Sequence, residues 1–251
     1  MTPTTPTTPT IIYDDPDFFA GYAGLPRSSA GLAGAPEWPA LRALLPPLAG
    51  RDVLDLGCGY GWFCRFAAEA GARRVLGLDG SARMLARARE INAHPAIAYA
   101  LADLEDAAPA PAGFDLAYSS LAFHYVARFE DLLARVRRAL RPGGRLVFSV
   151  EHPIYSAPRR PAWSVDADGH RIWPLDGYLV EGPREVDWLG ARVAKRHRLI
   201  STTLNAAMAA GFALRHVEEW RPTEAQIAAR PALAAELDRP MFLLVAADTA
   251  S

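Results

Sequence analysis

The chain is short of the features that mark several functional classes. It has only two cysteines in 251 residues, Cys58 and Cys64. That usage supports neither a disulfide framework nor a metal site, since no ligand spacing accompanies the thiols. No apolar run approaches the length of a membrane span, and no basic start leads into an apolar leader core. Charge is nearly balanced, with 27 basic against 28 acidic side chains. Such a balance removes any electrostatic bias toward nucleic acid or a membrane surface. No internal repeat is visible. These absences point to a soluble, cytoplasmic protein, and leave monomer and homodimer both open.

Apolar material, by contrast, is plentiful. Hydrophobic residues make up 51% of the chain, and the length suits one large α/β domain with an inserted cap. Residues 1–10 are almost wholly Thr and Pro, too poor in apolar groups to fold, and read as a disordered tail. The most organised stretch is Val53-Leu54-Asp55-Leu56-Gly57-Cys58-Gly59-Tyr60-Gly61-Trp62-Phe63. An apolar run carrying an acid enters three glycines spaced by single residues, and an apolar-periodic segment follows. The pattern is buried strand, tight turn, helix. Glycines there permit positive φ and close approach of a ligand to the backbone, and the helix start offers unpaired N–H groups.

Further strands follow at βαβ spacing. Arg74–Asp79 is a second apolar strand ending in an acid, about twenty residues past the turn. An acid at that point can bind both ribose hydroxyls of an adenosine. Ser81 then reads as the N-cap of a helix. Ala96–Leu101, Phe114–Ser120 and Arg145–Val150 complete a series that argues for a doubly wound, mostly parallel sheet. Ligands of such sheets bind outside the carboxyl ends of the strands. After Val150 the pattern breaks. Residues 151–193 have no clear period and hold Trp163, Trp173 and Trp188 beside Tyr155 and Tyr178. A loop so long and so aromatic is read as a cap, with part of its rings lining a pocket for a flat substrate. Glu151-His152 sits where the fifth strand ends, and a carboxylate beside an imidazole can prepare the ring to accept a proton. His124 and Tyr125, at the end of the fourth strand, are second candidates.

Gly57-x-Gly59-x-Gly61 with Asp55 ahead of it resembles motif I of the class I S-adenosylmethionine (SAM) methyltransferases. The Leu140-Arg141-Pro142-Gly143-Gly144 turn is a second hallmark. The resemblance implies a Rossmann-like seven-stranded sheet closed by an antiparallel hairpin. It also implies SAM as cofactor, S-adenosylhomocysteine as product, and no metal. Carried onto this chain, it places cofactor contacts at Asp55, Gly57, Cys58, Gly59, Gly61, Asp79, Gly80, Asp103, Leu104 and Ser119. An N-terminal helical lid over residues 11–48 adds Tyr13, Tyr22 and Arg27, the last toward the cofactor carboxylate. Residues 49–251 form the methyltransferase domain, with a substrate cap at 151–198.

A narrower likeness rests on Tyr13, Phe18-Phe19, Tyr22, Arg27-Ser28, Glu151-His152-Pro153 and Trp188-Leu189-Gly190 with His197. These resemble a bacterial small-molecule subgroup that includes indole C3-methyltransferases. The implied acceptor is a tryptophan-derived indole, such as a cyclic dipeptide, with pyrroloindoline formation. Glu151, His152, Tyr13 and His124 would then act in catalysis. Phe18, His124, Tyr125, Trp163, Trp173, Tyr178 and His197 would line the acceptor site. Leu199 departs from the Thr expected after His-Arg in that subgroup. The alternatives are N-, O- or carboxyl methylation of another natural product, a non-catalytic SAM sensor, and a nicotinamide oxidoreductase. The glycine spacing disfavours the oxidoreductase.

Overall fold

The computed structural model describes residues 11–250. The Thr/Pro stretch 1–10, read above as a tail, lies outside the described residues. Asp52–Leu56 forms β1, and all five of its residues are buried. A parallel strand covered on both faces requires such a run. Val53 packs with one core cluster and Leu54 and Leu56 with another, since successive side chains alternate across the sheet.

Strands β2 (Arg74–Asp79), β3 (Ile97–Leu101), β4 (Phe114–Ser120) and β5 (Leu140–Glu151) follow. Next come two hairpins, β6 (Ser164–Val165) with β7 (Arg171–Ile172) and β8 (Gly182–Trp188) with β9 (Ala191–His197), and then β10 (Phe212–Glu219) and β11 (Phe242–Thr249). The main sheet has seven strands in the order β10-β11-β5-β4-β1-β2-β3. Strands β1 to β5 pair in parallel, whereas β11 runs antiparallel to both β5 and β10. The expected Rossmann-like sheet is therefore observed, with its closing antiparallel pair.

The N-terminal segment holds α1 (Pro16–Ala23), α2 (Pro26–Ser29) and α3 (Trp38–Ala43). Asp15 caps α1 by accepting from the N–H groups of Asp17 and Phe18. Helices α4 (Trp62–Glu69), α5 (Ala82–Ile91) and α6 (Phe129–Ala139) connect the parallel strands. Ser81 caps α5 through Met84 N–H, as the sequence implied. On one face the core gathers Phe129, Leu132, Leu133 and Val136 of α6 against β1, β4, β5 and β11; on the other, Leu41, Phe63, Cys64 and Ala67 meet Leu116, Tyr118 and Val147. Each fully buried Leu or Phe contributes about 1.5–3 kcal/mol.

The cap is more regular than its sequence implied. Residues 182–197, of which 182–193 belong to the stretch taken as aperiodic, form the β8–β9 hairpin through Leu189 and Gly190, both at positive φ. Alternation is present in β8 (Gly182–Trp188), but its inward positions include Arg184 and Gly182, so hydrophobicity does not report it. The short α7 (Pro153–Ser156) leaves β5, α8 (Ile200–Ala209) precedes β10, and α9 (Glu224–Ala229) gives way to a 3-10 turn at Pro231–Leu237. No helix of the described residues is long and apolar enough to cross a membrane.

Two local features set the sheet ends. At the amino end of β1, Asp52 is buried and takes Arg73 at 2.6 Å, Arg141 at 2.8 Å and Arg74 at 3.4 Å. The Arg73 hydrogen bond foremost, aided by Arg141 and Arg74, holds its carboxyl down at about 2. At the carboxyl end, Gly57 has φ +77°, and a Cβ there would lie 2.3 Å from Ala122 Cβ, whereas a Cβ on Gly59 would meet nothing within 4 Å.

Both features give expected outcomes. Asp52→Asn should lower the unfolding free energy by about 1–2 kcal/mol at pH 7, after discounting for the exposed arginines. A folded pKa held below the unfolded one contributes stability that is present above about pH 4. The gap between the two proteins in urea titrations should close as pH falls from 4 through 2. Gly57→Ala should cost about 2–3 kcal/mol by clash and backbone strain, and Gly59→Ala about 1 kcal/mol by strain alone. Equal losses for the two glycine variants would contradict the close approach of Ala122.

Candidate active site

Between the glycine turn and the N-terminal helices lies a cavity of about 100 Å³. Its wall includes Asp55, Gly57 and Gly59 from β1 and its turn, and Arg27, Ser28 and Glu37 from the N-terminal segment. Burial pushes the Asp55 carboxyl up to about 7, against a partial lowering by the Cys64 thiol that donates to it at 3.2 Å. Asp79, the last residue of β2, accepts from Gly59 N–H at 2.8 Å and Ser81 N–H at 2.9 Å. Its carboxyl is also raised by burial.

The N-terminal segment closes over these acids. Asp14 accepts from Ser81 Oγ at 2.6 Å and from Arg83 N–H at 3.1 Å, so it ties the first turn to the start of α5. A Cβ on Gly80 would lie 2.7 Å from Ile11 Cδ1. Arg27 donates through one nitrogen to both oxygens of the fully buried Glu37, at 3.0 and 3.3 Å. Ser28 Oγ, in the same cavity, is buried without a partner among the described residues.

Beside the cavity, five rings meet. Tyr13 packs edge-on against Phe18 at 5.2 Å, Tyr22 at 5.3 Å and Tyr125 at 6.1 Å. Trp188 meets Phe18 at 5.4 Å and Tyr22 at 6.2 Å. The N-terminal segment, the turn after β4 and the tip of β8 thus share one aromatic wall. Tyr13 and Tyr125 join hydroxyls at 3.0 Å, and burial raises both phenols above their ordinary range. At the edge of the wall Lys195 Nζ lies 5.0 Å from the Trp188 ring centre and 2.5 Å from Glu151 Oε1. Leu121, between β4 and this wall, has φ +54°, a strained conformation of the kind that gathers at functional sites.

Several expected pairings are not formed. Glu151 and His152 do not meet: Glu151 pairs with Lys195, while His152 Nε2 pairs with Glu219 at 2.9 Å. Adjacent residues leaving a strand point to opposite faces of the sheet. His152 is fully buried, its Nδ1 accepts from Ile154 N–H, and burial lowers its pKa. Neither ring nitrogen is left for an acceptor. His124 is buried with its pKa pushed down to about 4 by desolvation, and its Nδ1 faces the Glu151 N–H at 3.4 Å.

Trp163 and Trp173 do not join the aromatic wall. With Tyr155 they surround Arg239, whose guanidinium carbon lies 4.6–5.1 Å from the three ring centres. A buried guanidinium gains more from those faces than from an open pocket. Tyr178 packs on His197, whose two nitrogens meet Ser156 Oγ at 3.0 Å and Tyr178 O at 2.7 Å. Both residues hold the cap to itself. Ser119 lies under the sheet end and donates to Leu56 O. Asp103 is exposed and turns back on Glu105 N–H, with Leu104 buried beside it. Cys58 N–H and Gly57 N–H both donate to Leu78 O, which fixes the turn between β1 and β2. Sequence reasoning missed Glu37 and Lys195. Neither carries a local signal, because each is defined by a partner distant in the chain.

The site's donor set fits SAM. A carboxylate (Asp55) and a guanidinium (Arg27) in one cavity match the ammonium and carboxylate of its methionine half. Ser28 Oγ, without a partner among the described residues, offers a further polar contact, and the space above Gly59 is open. Comparison with known proteins agrees. The methyltransferase-domain family pattern matches residues 54–148. The solved S-adenosylmethionine-dependent methyltransferase from Mesorhizobium loti is 60% identical, with a TM-score of 0.84, over 87% of this chain and all of that one. Malonyl-[acyl-carrier protein] O-methyltransferase of Salmonella typhimurium is 32% identical over 75% of this chain and 76% of its own length. Trans-aconitate 2-methyltransferase of Delftia acidovorans is 35% identical over 58% of this chain and 60% of its own length. The chain belongs to the class I SAM-dependent methyltransferases.

Proposed function

We propose that this enzyme methylates an oxygen of a small aromatic molecule. The observation that carries the reading is the five-ring wall at the carboxyl ends of β4 and β5, with Glu151 and Lys195 at its edge. Flat apolar acceptors fill such walls, and one charged pair orients them. The relative named as an O-methyltransferase supports oxygen as the receiving atom.

When bound, SAM supplies an electrophilic methyl group on a good leaving group. The chain's own residues then have three tasks: hold the cofactor, align the acceptor and accept its proton. Asp55 binds the ammonium and Arg27 the carboxylate of the amino-acid end, while Asp79 takes the ribose hydroxyls. Tyr13, Tyr22, Tyr125 and Trp188, backed by the fully buried Phe18, exclude water and set the plane of the acceptor. Tyr13 and Tyr125 keep their protons, since burial raises both phenols, so they orient by hydrogen bonds.

His152 has no free nitrogen, which leaves Glu151 as the group that takes the acceptor's proton. Its Oε2 has no donor among the described residues, while Lys195 fixes Oε1. An indole methylated at C3 is the second reading. The same wall and the same carboxylate would serve it, with the ring N–H proton going to Glu151.

Isotope-labelled SAM offered with phenols, indoles, tryptophan cyclic dipeptides, aromatic acids, aliphatic acids and amines should place label on an aromatic hydroxyl oxygen. Label on an indole carbon would select the second reading, and label only on aliphatic acids would overturn the aromatic one. Glu151→Gln should lower kcat by about 10²–10⁴-fold with the SAM Kd unchanged. Asp55→Asn should weaken SAM binding by about tenfold to a hundredfold. The Asp55 carboxyl sits at about 7 before the ammonium arrives, and the ammonium favours its ionised form. Affinity should therefore fall as pH drops from 7 to 5.5, by up to about tenfold per unit. Titration calorimetry on Asp55→Asn should show that slope abolished.

A further inference from the structure

We propose that Glu37 is a positioning residue that aims Arg27 at the carboxylate of the cofactor's amino-acid end. The inference rests on the placement of that end in the cavity with Asp55. Glu37 immediately precedes α3 and has no exposed surface. A carboxylate so deeply buried is costly unless paired, and its hydrogen-bond partner is Arg27 alone among the described residues. Both line the same cavity as Asp55 and the glycine turn.

The contact geometry has a consequence. Arg27 reaches both Glu37 oxygens through Nη2. A guanidinium has five N–H donors in a rigid fork, so Nε and Nη1, without an acceptor among the described residues, can meet a second one. Arg27 Cζ also lies 5.7 Å from the Phe242 ring centre, a second restraint on the guanidinium. A charge that cannot be given up, held on one nitrogen and against a ring, is ready for a carboxylate before the ligand arrives. Without Glu37 the guanidinium would keep its charge but lose its direction. Glu37 touches no ligand in this scheme; it acts through Arg27.

Binding measurements with two ligands separate this role from a structural one. SAM carries the carboxylate, and decarboxylated SAM lacks only that group. By calorimetry, Glu37→Ala should weaken SAM by about tenfold or more, the scale of a charge-assisted contact, and leave decarboxylated SAM within about twofold. Glu37→Gln keeps an acceptor for Nη2 but loses the charge, so it should show the same SAM-only loss in smaller measure, about threefold to tenfold, which reads the role where the alanine variant does not fold. Arg27→Ala is the control on the placement. If Arg27→Ala separates the two ligands and the Glu37 variants do not, the positioning role is overturned while the placement stands. Loss of both ligands in equal measure in Glu37→Gln would make Glu37 a structural residue. If Arg27→Ala weakens neither ligand, the placement fails, and the inference with it.

Discussion

A carboxylate buried in the middle of a parallel sheet is the constraint on which the upper half of this molecule depends. Asp55 lies in β1, an interior strand paired in parallel with β2 and β4, and its side chain has almost no exposure. Burial foremost lifts its carboxyl to about 7, and the hydrogen bond from the Cys64 thiol offsets part of this. Asp79 lies close enough to add to the penalty. Such an arrangement costs stability unless a cation completes it. The glycine turn keeps space open above these acids, and Gly57 lets Ala122 approach from the turn after β4. The turn, the acids and the neighbouring strand end therefore form one unit.

Charge pairs join the additions to this frame, and each pair spans two elements. Arg27–Glu37 links α2 to the residue before α3, and Lys195–Glu151 links β9 to the end of β5. The neutral His152 links the exit of β5 to β10 by a hydrogen bond with Glu219 rather than by charge. Asp14 binds the first turn to α5 through hydrogen bonds. Partly buried pairs of this kind are poor sources of stability, because desolvation offsets most of the attraction. Their value lies in geometry: they fix where the N-terminal segment and the β8–β9 hairpin meet the sheet, and so where the aromatic wall forms. Arg239 performs a similar office below the cap, inside the rings of Tyr155, Trp163 and Trp173.

Much of the fold was legible in the sequence. The apolar runs of β1, β2, β4 and β5, the Ser81 cap and the Gly57-x-Gly59-x-Gly61 turn all have local causes. Asp55, Asp79 and Asp103 fall at the carboxyl ends of β1, β2 and β3, which strand periodicity alone could place. The cap was harder to read. Strands β8 and β9 lie on a small two-stranded sheet, where Arg184 and Lys195 take inward positions that hydrophobic patterning treats as outward. The wall of the site was legible in part: Tyr13, Phe18, Tyr22 and Tyr125 come together, but Trp163 and Trp173 are drawn away by a cation that arrives from a distant segment.

By itself, then, the sequence determined the strands, their turns and the ends at which ligands can bind. Each of these follows from the spacing of neighbours along the chain. Only the tertiary structure decided who pairs with whom. Glu151 and His152 are adjacent in sequence yet point apart, because side chains alternate along extended backbone. Glu151 instead finds Lys195 forty-four residues later, and Arg27 finds Glu37 across a turn. A side chain's partner is set by how elements pack, and packing is a property of the whole chain.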